Sequence, residues 1–173
     1  PVEDEGRLHD PAIRENFIVR IFCFHRLQLL VRKSFSIGSL VRFHTRHKFL
    51  ILSHSRKKYD DMGELVANAK KIKTAELKTR YSKLFMAALT YKSTPKKNTD
   101  VLLHMTGFLK KILTREEKKN ILSVIEDYRN ELLPLVVPVT LIYHQVKKHN
   151  IEYLLDQVYL NPHPKELMLR NHV

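Results

Sequence analysis

Ser36-Ile37-Gly38-Ser39-Leu40-Val41-Arg42-Phe43-His44-Thr45-Arg46-His47-Lys48-Phe49-Leu50-Ile51-Leu52-Ser53-His54 is the stretch on which the fold turns. Ser36 is a good helix N-cap, and no proline interrupts the run from Ile37 to His54. At 100° per residue, Leu40, His44, His47, Ile51 and His54 fall on one face, with Phe43 and Leu50 beside them. Arg42, Arg46 and Phe49 point the other way, and Lys48 sits at the boundary. The pattern predicts a helix that buries one face, with imidazoles among the buried groups.

The same signals recur on both sides of this stretch. Asp10 followed by Pro11 opens a helix to about Lys33. Ser55 caps one to about Lys71, and Thr74 caps the next, to about Tyr91. Thr94 with Pro95 starts another, to about Leu113. Thr114 and Glu117 form a capping box for the one ending before Pro134. A further helix covers roughly 138–148, and a short one 151–157. Strand signals are weak, because Pro134 and Pro138 break the β-branched cluster around Val136. Tyr159-Leu160-Asn161-Pro162-His163-Pro164 reads as an extended or turn segment. The expected fold is an all-α, compact single-domain bundle of about seven helices with an extended C-terminal tail.

The 173 residues suffice for one core without staples. Cys23 is the single cysteine, so no internal disulfide and no cysteine-based zinc or iron–sulfur site can form from this chain alone. That usage, with no apolar run of membrane-spanning length, predicts a cytoplasmic location and no membrane partner. Four glycines leave little material for a glycine-cradled nucleotide site. No Walker loop, Gly-x-Ser-x-Gly motif or cysteine triad is present. The net charge is +13. Because Glu3, Asp4, Glu5 and Asp10 outweigh Arg7 in the first ten residues, the rest of the chain is more basic still. Residues 1–10 read as an acidic linker or the end of a preceding domain, and 11–173 as the helical domain. A polyanion, above all nucleic acid, is the partner such a charge implies.

Within the basic clusters, Arg42 and Arg46 stand out. They lie mid-helix, one turn apart, with no acidic partner nearby, and are the leading candidates for phosphate contacts. Lys48, Arg56, Lys57 and Lys58 extend this candidate RNA-binding set. No base-reading motif accompanies them, so shape and backbone recognition of a folded RNA is expected. Ten histidines form the second feature. The stripe Phe17, Ile18, Ile21, His25, Leu29 turns His25 inward. His104 borders the stripe Val101, Met105, Phe108, Ile112, and Val137, Leu141 and His144 align. His25, His44, His47, His54, His104 and His144 thus form a candidate polar pocket. The ordinary reading of each is a buried imidazole satisfied by a neighbour. A metal site is disfavoured, because the His44–His47 helix carries no carboxylate and lacks the His-Glu-x-x-His pattern, and no metal ligands are assigned.

Several strings together resemble a known family. They are Phe43-His44-Thr45-Arg46-His47-Lys48, His54-Ser55, Leu65-Val66-Ala67-Asn68 and Asn98 through Phe108. Tyr128-Arg129, Leu133 through Thr140 and Leu155 through Pro164 complete the set. The sequence resembles the YbgA-like domain family, a domain of unknown function that occurs alone or fused behind an iron–sulfur desulfidase domain acting on thiolated uracil. The resemblance implies an accessory role: holding transfer RNA for a thiouridine desulfidase domain, in cis or in trans, that this sequence does not contain. It implies an iron–sulfur cluster only for that other domain, and no cofactor for this chain. Catalysis by the chain alone is not implied. The carry-over rests on His44, Arg46, Lys48, His54 and His104. A His-lined small-molecule or metal-dependent enzyme site and a protein-interaction module are the alternatives.

Overall fold

The computed structural model describes residues 1–33 and 35–172. Among them are eight α-helices and no strands: α1 (Pro11–Lys33), α2 (Ile37–His54), α3 (Arg56–Ala67), α4 (Thr74–Ala88), α5 (Pro95–Leu109), α6 (Arg115–Arg129), α7 (Val136–Lys148) and α8 (Glu152–Leu155). The all-α class expected from the sequence is the class observed.

Local chemistry sets most boundaries. Asp10 Oδ1 accepts from Ala12 N and Ile13 N at 2.8 and 3.0 Å, and these amides hold its carboxyl below the usual range. Ser36 with Ser39 and Thr114 with Glu117 form capping boxes, and Ser55 and Thr94 cap α3 and α5. Thr74 departs from expectation: it is the first helical residue, and Lys73 occupies the cap position without a side-chain bond. α7 begins at Val136, two residues before the expected start. Pro138 then lies in its first turn, where a missing N–H leaves no hydrogen bond unmade.

α2 packs against α1, α3, α4 and α5. It is therefore buried on more than one side. Leu40, Phe43, Leu50 and Ile51 face the core as the periodicity predicts, but Phe49, placed outward by that reading, is fully buried. Its ring meets His104, Phe108 and Tyr153 edge-on at 5.2, 6.2 and 6.4 Å. Three other helices are rotated from expectation. α1 buries Val19, Cys23, Leu27 and Leu30, leaving Ile21 and Leu29 about 40% exposed. α5 buries Val101, Leu102, Met105 and Leu109, while Phe108 and, in the turn beyond the helix, Ile112 reach solvent. α7 buries Val139, Ile142 and Val146 instead of Val137 and Leu141. Apolar residues lie around most of the circumference of these helices, so spacing alone fits more than one face, and packing selects.

Residues beyond α8 run through turns, as the two prolines require, yet they do not project from the body. Tyr159 and Leu160 are buried in the core, and Val158 N donates to the carbonyl of Arg46 at 2.9 Å. The acidic first ten residues form a short 3₁₀ turn, Gly6–His9, that packs on α1, with Glu3 paired to Arg20 at 3.7 Å.

Candidate functional site

Two concave regions lie at opposite ends of α2. The first is an open groove of about 570 Å³ between α1, the N-terminal half of α2 and the chain after α8. Arg26 and Lys33, two turns apart on α1, line it with Arg42 and Arg46, one turn apart on α2. Four cations therefore meet a single lining carboxylate. Asp156 supplies it, at 3.6 Å from Arg46 Nε, with both side chains more than half exposed. This corrects the expectation that Arg46 has no acidic partner: the partner lies 110 residues away in sequence.

His47 also lines this groove. Its Nδ1–H donates to the Phe43 carbonyl at 2.8 Å, which leaves Nε2 unprotonated, and that buried nitrogen has no partner among the described residues. Burial lowers its pKa to about 3, and the nearby Arg26 and Arg46 push the same way. The imidazole stays neutral and adds no charge to the groove. Its ring stacks on Phe43 at 4.0 Å and meets Phe85 edge-on, so packing fixes its position. His44, one turn earlier, sits between Tyr59 and Tyr81 with Nδ1 3.3 Å from the Tyr81 hydroxyl. Desolvation lowers its pKa to about 4.

The remaining basic candidates do not join the groove. Arg56 is paired with Asp60 at 3.1 Å and Lys58 with Asp61 at 3.3 Å, both within α3. Lys48 Nζ lies 5.3 Å above the Phe49 ring, and Lys57 is exposed on α3. Desolvation lowers the pKa of His104, and the nearby Lys48 and Arg56 push the same way. The candidate RNA-binding residues thus divide between two faces, and α1 supplies two groove cations that sequence spacing does not connect.

The second region is a cavity of about 250 Å³ where the C-terminal end of α2 meets the starts of α1 and α5, the end of α6 and the last residues of the chain. His54 lines it. His54 Nδ1–H donates to the Tyr91 carbonyl at 2.6 Å, and burial lowers the pKa to about 4 against the raising effect of that bond. Arg170, 8% exposed, donates to Glu15 at 3.2 Å and to the Tyr159 carbonyl at 2.8 Å. His172 lies 3.5 Å from the other oxygen of Glu15. Tyr159 O–H donates to Asn98 Oδ1 at 3.1 Å, and Asn98 Nδ2 donates to the Tyr128 hydroxyl at 3.0 Å.

The single histidine pocket expected from the sequence is therefore not present. His44 and His47 lie near the middle of α2, and His54 ends it. His25, His104 and His144 are exposed, because α1 and α7 bury other faces and the His104 side of α5 faces outward. Among the described residues no group of three or more His, Cys, Asp or Glu is arranged to hold a metal ion. Cys23 is buried, and desolvation raises its pKa to about 12, which makes it a poor nucleophile. Sequence reasoning misses Glu15, Asn98, Tyr128 and Arg170 as site residues. Asn98, buried near the start of a helix it does not cap, is the one local signal among them.

The fold and these two regions define a basic helical domain with an open cationic groove and a separate, smaller cavity lined by both polar and apolar residues. Residues 48–164 match the family described as Protein of unknown function (DUF1722), and the chain belongs to that family. It is similar to the "Uncharacterized protein YbgA" of Escherichia coli (strain K12), 26% identical over 158 residues that cover 91% of this chain and 94% of that protein. No solved structure matches. The family match begins at Lys48, so it includes His54, Asn98 and Tyr128 of the cavity and leaves out Arg42 and Arg46 of the groove.

Proposed function

We propose that this chain is an RNA-holding module whose α1–α2 groove receives the phosphate backbone. The observation that carries the reading is the concentration of Arg26, Lys33, Arg42 and Arg46 in one open groove against the single carboxylate of Asp156. Guanidinium pairs on one helix face suit phosphate oxygens, and an open groove suits a polymer better than a small molecule. The net charge of +13 supports the same reading through long-range attraction. The family resemblance extends it: the RNA is transfer RNA, the setting is cytoplasmic, and the chemistry belongs to a thiouridine desulfidase domain in cis or in trans. The described residues include no helix long and apolar enough to cross a membrane, which is compatible with that setting.

The test is filter binding of bulk transfer RNA and duplex DNA at a series of salt concentrations. Transfer RNA binds with micromolar or tighter affinity at low salt and loses affinity steeply as salt rises. In the double variant Arg42→Ala, Arg46→Ala the slope of log K against log salt becomes shallower by about 2. An unchanged slope and affinity in that variant would remove the groove as the interface. Absence of salt-dependent RNA binding in the unaltered chain would sink the reading as a whole.

A further inference from the structure

We infer that the cavity at the C-terminal end of α2 is a binding site for a small neutral molecule that carries both a hydrogen-bond donor and an acceptor. The first ground is the direction of its hydrogen bonds. Tyr159 donates to Asn98, and Asn98 donates to the Tyr128 oxygen. The Tyr128 proton then has no acceptor among the described residues, although the side chain is 7% exposed and lines the cavity. A buried hydroxyl with an unspent donor is costly to leave unmatched.

The second ground is His54. Its Nδ1–H is committed to the Tyr91 carbonyl, so Nε2 carries a lone pair. No partner for that nitrogen exists among the described residues, although the residue is 4% exposed and lines the same cavity. Burial keeps the imidazole neutral at physiological pH, so the nitrogen remains an acceptor. One residue with an unspent donor and one with an unspent acceptor thus line the same cavity, with Val19, Leu50 and Leu135 supplying apolar wall.

The third ground is charge balance. Lys92 and Arg170 on the lining are matched by Glu15 and Glu131, and Arg170 is already held by Glu15 and the Tyr159 carbonyl. Neither sign is in excess, so the occupant is neutral. The volume of about 250 Å³ suits a single ring with its substituents, below the range of drug-sized sites. Cyclic amides and nucleobases both carry such a donor and acceptor on one ring, so the source is either a free small molecule or a base of a bound RNA.

The probe is 2-pyridone, whose N–H adjoins its carbonyl, with N-methyl-2-pyridone as the partner lacking the donor. The readouts are the ¹⁵N resonance of His54 Nε2 and a binding titration on the full chain. 2-Pyridone moves that resonance from the position of a bare imidazole nitrogen toward that of a hydrogen-bonded one, with a Kd of about millimolar for so few atoms. N-methyl-2-pyridone binds at least about tenfold more weakly, as does 2-pyridone to Tyr128→Phe. Equal responses to the two pyridones, or an unmoved His54 resonance in the unaltered chain, would overturn the inference without using any variant. Displacement of 2-pyridone by bulk transfer RNA assigns the site to an RNA base, and persistence of the signal assigns it to a free molecule. Failure of RNA binding in the groove leaves this result standing, so the two readings fail separately.

Discussion

The groove and the cavity are built on the same helix and share a residue type, yet arginine does different work in each. Arg46 in the groove reaches Asp156 at 3.6 Å with both partners in water. Arg170 in the cavity reaches Glu15 at 3.2 Å with side-chain exposures of 9% and 13%. In water the pair is screened, and the guanidinium remains available to an incoming phosphate. Away from water the pair is committed, because either charge left alone in that setting is expensive. An open surface thus keeps charge for a ligand, whereas an enclosed one spends it on the fold.

The largest test of this contrast is acid. His44, His47 and His54 are neutral and buried in the folded chain, with pKa values lowered to about 4, 3 and 4 by desolvation. In the unfolded chain they titrate near 6.5. The unfolded state therefore binds more protons below pH 6.5, so stability is full above that value and is lost as pH falls toward 4. Each imidazole withdraws about 1.4 kcal/mol per pH unit in that window. The thermal midpoint should drop steeply between pH 6.5 and 4.5. A flat profile would show that the imidazoles are not buried along α2.

Next in size, Arg170→Ala strands Glu15 and the Tyr159 carbonyl, and should lower unfolding free energy by about 3 kcal/mol in urea titrations. Arg46→Ala, the matching change in the groove, should cost under about 0.5 kcal/mol while weakening RNA binding. Comparable losses at the two sites would dissolve the contrast. The smallest effect lies outside both regions. Gly107 sits on the exposed side of α5, and a Cβ there meets nothing within 4 Å. Gly107→Ala should stabilise by about 0.5–1 kcal/mol through helix propensity. Loss of RNA affinity in that variant would move the interface from the groove to α5.

Legibility follows range. Asp10, Ser36, Ser55, Thr94 and Thr114 act on amides two or three residues away, and their caps are readable from spacing. His44, His47 and His54 are readable as inward because α2 carries enough polar residues to mark its buried faces, although not enough to reveal Phe49. On α1 and α7 apolar residues nearly encircle the helix, so spacing puts His25 and His144 on the wrong side. The groove is half legible: Arg42 and Arg46 come from one helix, whereas Arg26, Lys33 and Asp156 join them only through helix packing. The cavity is scarcely legible, since Glu15, Asn98, Tyr128 and Arg170 come from four distant segments.

By itself the sequence determined the helices, all of their caps but the one expected at Thr74, and the excess of positive charge, because these depend on neighbours within a turn or on composition alone. Tertiary structure decided which face each helix buries, which cations share a groove, and which polar groups are enclosed together. Burial and charge pairing are properties of neighbours in space. The Glu15–Arg170 contact, spanning 155 residues, exists only once the chain end has packed against α1.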